Sequence, residues 1–106
     1  MQRSLVLIGV AAIATAAPAQ PPNGEALFVA NGCYQCHGYV GQGGAGPRLA
    51  PTAYPYEAFD RLVRRPSNEM PAYAAEVLSA DALRAIYAYL RSIPEPPAMA
   101  DIAILR

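Results

Sequence analysis

The 106-residue chain has no Lys and no Trp, a single His and two Cys, and all eight of its basic residues are Arg. Each shortage excludes something. One His and two Cys cannot assemble a Cys₄ or Cys₂His₂ zinc cage. Eight acidic residues cancel the eight basic ones, which argues against a nucleic-acid-binding surface. Charged residues make up only 15% of the chain and hydrophobic ones 54%, so charge-driven disorder is not expected. Aromatic bulk is modest, with seven Tyr and two Phe. Eleven Pro and eight Gly in so short a chain require long loops.

What is present starts with an N-terminal leader. Arg3 precedes an apolar run from Leu5 to Ala17, followed by the small-residue sites Ala14-Thr15-Ala16 and Ala17-Pro18-Ala19. A positive start, a short apolar stretch and a small-residue exit describe a secretory signal peptide, residues 1–19, with cleavage after Ala16 or Ala19. The run is shorter than the ~20 residues of a spanning helix, so a membrane anchor is expected only if the segment stays uncleaved. Export places the mature domain, 20–106, in the periplasm. A domain of that size is marginal without a disulfide, a metal or a cofactor.

Along that domain, Asn23 suits the N-cap of a helix reaching about Asn31. The five glycines at 38, 41, 43, 44 and 46 mark irregular backbone, which Pro47, Pro51 and Pro55 extend. A second helix is expected over Tyr56 to Arg65, with Pro55 at its first position and Phe59, Leu62 and Val63 facing the core. Ser79 caps a third, Ala80 to Ile93, whose apolar stripe is Leu83, Ile86, Tyr87 and Leu90. A Pro-rich tail follows from about residue 94. No strand-like alternation and no repeat is visible. The expectation is an all-α domain of about three helices wrapped in loops.

The chemistry is concentrated in Cys33-Tyr34-Gln35-Cys36-His37, which holds every Cys and the only His. C-x-x-C-H is the attachment signature for c-type haem. On a helical turn positions i, i+3 and i+4 share a face. Cys33 and Cys36 can thus each form a thioether to a vinyl group while His37 presents its imidazole to the iron. A thioredoxin-like redox pair expects a preceding strand in an α/β pattern. A Cys33–Cys36 disulfide closes too small a loop to stabilise much. Zinc would need an Asp or Glu ligand with no motif around it.

With the sole His used, a Met is the natural sixth ligand. Met1 lies in the leader and Met99 in the tail. Met70, in Glu69-Met70-Pro71-Ala72-Tyr73 just before the last helix, is the candidate. Thirty-two residues separate it from His37, enough to pass around a haem edge.

In this order the pieces resemble the small class I cytochromes c of the bacterial periplasm. Gly24 and Phe28 are similar to residues of that family's N-terminal helix, and Cys33–Gly38 to its attachment site. Gly46-Pro47-Arg48-Leu49 resembles its G-P-x-L loop. Met70–Tyr73 followed by Leu78-Ser79-Ala80-Asp81 resembles its distal ligand and C-terminal helix. The resemblance implies the cytochrome c fold around one covalently attached haem c, with His37 and Met70 as iron ligands. It also implies that the Pro47 carbonyl accepts the Nδ1–H of His37, and that Gly24 and Phe28 cross the last helix near Tyr87 and Leu90. Tyr54, Arg64 and Arg65 are the implied candidates for the haem propionates. The absence of Lys departs from relatives that dock through a lysine ring; Arg61, Arg64 and Arg65 suggest a weakly salt-dependent docking patch instead.

The expected function is one-electron transfer without catalysis, as a monomer or as a subunit of a complex. The electrons would come from a periplasmic dehydrogenase and go to a terminal oxidase or another cytochrome. The alternatives are a haem subunit of a dehydrogenase complex and a ligand-binding sensor with a dissociable Met70.

Overall fold

The computed structural model describes residues 17–105; the leader's apolar run up to Ala16 and its first cleavage site lie outside them. Among the described residues there are four α-helices and no strand: α1 (Gly24–Ala30), α2 (Cys33–His37), α3 (Tyr56–Arg64) and α4 (Ala80–Ser92). Two short 3-10 turns, Met99–Asp101 and Ala103–Leu105, follow in the tail. None of these helices is long and apolar enough to cross a membrane.

Local chemistry sets the helix ends. The Asn23 side chain accepts the Ala26 N–H at 3.2 Å and the Ser79 hydroxyl accepts that of Ala82 at 3.2 Å, satisfying donors that an α-helix leaves unpaired in its first turn. Glu25, Glu57 and Asp81 sit in first turns, where a negative charge meets the positive end of the helix dipole. Pro55 is the N-cap of α3 rather than its first helical residue, with an extended ψ of 152°. Its carbonyl instead accepts the N–H groups of Ala58 and Phe59, both at 3.1 Å. The helix α2 is a single turn, too short to show as a hydrophobic period.

The core joins α1, α3 and α4 through Phe28, Phe59, Val63, Leu78, Leu83, Ile86 and Leu90, with Ala50 contributed by the long loop. Leu62 does not join them: it is 41% exposed. Three consecutive turns of α4 thus supply Leu83, Ile86 and Leu90 to one stripe, and Phe28 and Leu90 are fully buried. Each such side chain contributes about 1.5–3 kcal/mol through removal from water.

The packing of α1 on α4 depends on Gly24. A Cβ there would overlap the Ala85 carbonyl and the Tyr89 Cβ. The close approach expected at Gly24 is present, and it is met by Ala85 and Tyr89; Leu90 shares the buried core with Phe28, while Tyr87 faces α3. Phe28 then lies against the Tyr89 ring at 5.9 Å between centroids. On the opposite flank Tyr87 meets Phe59 and Tyr56, each at 5.3 Å, so α4 is clasped by aromatic contacts from both neighbours.

Candidate haem-attachment site

Two glycines isolate α2 as a separate turn. Gly32, its N-cap, takes a φ of 74°, and Gly38, its C-cap, a φ of 77°. Both values lie in the left-handed region that side chains disfavour. The chain therefore leaves α1, makes one turn carrying Cys33, Cys36 and His37, and reverses at once. The Gly38 N–H closes the turn on the Tyr34 carbonyl at 2.9 Å. Both thiols are free; Cys33 is half-buried and Cys36 exposed. Burial is the main influence on the Cys33 thiol and pushes its pKa up, against a smaller lowering by a backbone hydrogen bond.

The loop after α2 folds back over the motif. The Gly43 N–H donates to the His37 carbonyl and the Gly46 N–H to the Cys36 carbonyl, both at 2.8 Å. Gly46 packs against the imidazole itself: a Cβ there would stand 2.7 Å from Cε1 and 2.9 Å from Nδ1 of His37. The next residue delivers the decisive contact, with His37 Nδ1–H donating to the Pro47 carbonyl at 2.7 Å. A carbonyl can only accept, so the proton of the neutral ring sits on Nδ1 and the lone pair is left on Nε2. His37 is 7% exposed, the one buried polar side chain among the described residues. A buried imidazole with one nitrogen tied and the other holding a lone pair is arranged as a ligand.

Farther along, Leu49 and Ala50 donate their N–H groups to the Gly41 carbonyl at 2.8 and 3.0 Å. Gly41, with φ 66°, lies under Leu90 and Ala50; a Cβ there would come within 2.9 Å of Leu90 Cδ2. The histidine-bearing loop is in this way registered on α4. Arg48 adds a tie to the tail, pairing with Glu95 at 2.7 Å.

Met70 is half-buried and packs against the core. Its loop is tied down by the residue three positions on. The Tyr73 N–H donates to the Val63 carbonyl at 3.1 Å, and the Tyr73 hydroxyl to the Asn31 carbonyl at 2.7 Å. Asn31 is two residues before Cys33, so Tyr73 joins the methionine loop to the attachment turn. Burial, followed by the nearby Cys33 and Cys36 thiols, raises the Tyr73 hydroxyl above the ordinary tyrosine pKa.

Of the side chains proposed for propionates, Tyr54 is 54% exposed and offers its carbonyl to the Tyr87 hydroxyl at 2.7 Å. Arg65, the C-cap of α3, is exposed. Arg64 is occupied elsewhere: its Nη1 donates to the Tyr73 carbonyl at 2.9 Å and to the Leu78 carbonyl at 2.6 Å. It therefore drops out of the exposed arginine patch, leaving Arg61 and Arg65. The contacts of Arg64 and Tyr73 are long-range, and no local motif in the sequence signals either.

The donor set fits a c-type haem. Two free thiols at i and i+3 share a helical turn with an imidazole tied through Nδ1, and a half-buried thioether lies in a loop bonded to the Asn31 carbonyl just before that turn. A helical domain with this segment is a c-type cytochrome, a haem and iron protein of electron transport. The family described as "Cytochrome C oxidase, cbb3-type, subunit III" matches residues 19–90, and the chain belongs to it. It is also similar to a protein named "Cytochrome bc1 complex cytochrome c subunit" from Corynebacterium diphtheriae, at 36% identity over 85 residues. That alignment covers 76% of this chain and 30% of the relative, so the chain spans about three-tenths of the relative's length. No solved structure matches the chain.

Proposed function

We propose that the protein is an exported one-electron carrier holding one haem c, attached through Cys33 and Cys36 and ligated by His37 and Met70. The observation that carries this reading is the 2.7 Å bond from His37 Nδ1–H to the Pro47 carbonyl. It fixes which ring nitrogen is free, raises that nitrogen's basicity and holds the ring plane. Bound haem c would supply a one-electron Fe(III)/Fe(II) couple. The chain's own contribution is to keep the surroundings the same in both states. Gly46 and Pro47 lock the imidazole, Tyr73 and the core hold the methionine loop, and the thioether ligand favours the reduced state over a bis-histidine arrangement. With His37 and Met70 both held on the iron, no position would be left open for a substrate.

Export by the 1–19 segment, with cleavage after Ala16 or Ala19, would put this carrier in the periplasm, where c-type attachment takes place. Its partners would then be a dehydrogenase as donor and an oxidase or another cytochrome as acceptor. A second reading, a haem subunit within a respiratory complex, is favoured by the family and the relative, both of which are described as subunits.

The test is extraction of the purified protein from a host competent for c-type maturation, followed by carbon monoxide titration of the reduced form. Haem that stays with the chain through acid–acetone extraction and resists carbon monoxide at neutral pH is the expected result. Extractable haem would remove the attachment, and ready carbon monoxide binding would move the function to a ligand sensor. Size measurement in detergent-solubilised membranes against the soluble fraction separates the free carrier from the subunit.

A further inference from the structure

Arg64 ends α3, and the chain then makes an excursion from Arg65 to Ser79 before α4 begins. Met70 lies on that excursion. The Arg64 guanidinium reaches across its mouth and donates to two carbonyls on the returning limb, Tyr73 at 2.9 Å and Leu78 at 2.6 Å. Its Nε stands 3.4 Å from the Asp60 carboxylate one turn back on α3, which orients the group. The side chain is only 17% exposed. An arginine cannot shed its charge in a protein and has donors only, so a half-buried one must find acceptors. Here the acceptors are the backbone of the methionine loop.

The same loop is held from two other directions, by the Tyr73 N–H on the Val63 carbonyl and by the Tyr73 hydroxyl on the Asn31 carbonyl. All of these bonds fall at residues 73 and 78, within eight residues of Met70, a short tether for a flexible chain. We propose that Arg64 is a positioning residue for Met70: it closes the 65–78 loop on α3 and so holds the thioether against dissociation. The inference rests on the reading of Met70 as the sixth ligand. It also commits the Nη1 donors of Arg64 to this loop rather than to the propionates.

The experiment is a spectroscopic titration of the haem-loaded ferric protein with imidazole, which binds only when the methionine leaves. Arg64→Met keeps the apolar stem and removes every donor; imidazole should bind about tenfold or more tightly than to the wild type, the effect of losing a charged hydrogen bond. Arg64→Lys, whose shorter stem can keep at most one carbonyl, should fall between. Asp60→Asn, which leaves both carbonyl bonds in place, should stay near the wild type. Leu90→Ala weakens the core on the histidine side and should lower Tm without moving the imidazole affinity, which separates positioning from general destabilisation. Wild-type affinity in Arg64→Met, or, should that variant fail to mature, in Arg64→Lys, overturns the proposal. Met70→Ala keeps the two failures apart. If it binds imidazole far more tightly while the Arg64 variants do not, the ligand stands and the positioning role falls. If Met70→Ala leaves the affinity unchanged, Met70 is not the ligand and the proposal falls with it.

Discussion

The two sides of the attachment site are built by different means. The histidine side is nearly all local. Between Cys33 and Pro47 the chain makes one helical turn and a loop whose bonds return to Cys36, His37 and Gly41. Glycines do the shaping, because backbone must pass close to an imidazole and to Leu90. The methionine side has little local structure of its own. Met70 sits in a loop held by Val63, Arg64 and Asn31, residues that reach it from other elements. A ligand set by neighbours in sequence is rigid from the moment its turn forms. A ligand set by long-range bonds is only as fixed as those bonds, and it is the side on which exchange is expected to start.

That contrast can be broken from either side. The largest effect is expected for Leu90→Ala, since Leu90 is fully buried and supports Gly41 beneath the histidine loop. Equilibrium denaturation of the haem-loaded protein should show a loss of about 2–5 kcal/mol, with the methionine ligation intact until global unfolding. Gly46→Ala comes next. Its new methyl would press on Cε1 and Nδ1 of His37, costing about 1–3 kcal/mol. By loosening the Pro47 bond it should make the imidazole a weaker donor. A weaker donor stabilises Fe(III) less, so the reduction potential should rise; an unchanged potential would mean the bond does not tune the iron.

On the methionine side, Tyr73→Phe removes only the bond to Asn31 and should cost about 1 kcal/mol at neutral pH. The Tyr73 pKa is raised in the folded state, so the folded protein holds that proton more tightly than the unfolded one. The stabilisation is therefore complete below the ordinary tyrosine value of about 10 and is lost as pH climbs from there through the folded-state value. Thioether formation removes the thiols' charge but leaves the burial, so part of this slope should persist with haem attached. Melting curves from pH 7 to high pH should show the wild type converging on Tyr73→Phe; parallel curves would contradict the assignment. The smallest effect is expected for Glu95→Gln. Its pair with Arg48 is exposed and should contribute less than about 1 kcal/mol, visible as a salt-dependent loosening of the tail and nothing more.

The same division governs what could be read from the chain without its structure. The helix α4 is legible because Leu83, Ile86 and Leu90 repeat at helical spacing behind the Ser79 cap, α3 because Phe59, Leu62 and Val63 do so after Pro55, and α1 because Asn23 is a chemical cap. The attachment turn is legible because Cys33, Cys36 and His37 are a local motif. Leu62 was expected inside and lies outside, since helical spacing alone cannot say how wide the buried stripe is. By its place in the chain Arg64 groups with Arg61 and Arg65 in the expected docking patch. Only the fold reveals that two carbonyls 9 and 14 residues away are within its reach. Long-range bonds to backbone carbonyls leave no trace in composition or period, because every residue has a carbonyl.

The central claim is that these two differently built sides bring His37 and Met70 to one iron. The most direct test is the absorption spectrum of the oxidised, haem-attached protein beside that of Met70→Ala. A weak far-red band of sulfur-ligated ferric haem, present in the wild type and lost in Met70→Ala with the haem still attached, is the predicted result. The same spectrum in both proteins would contradict it and leave the histidine side as the only part of the site correctly assigned.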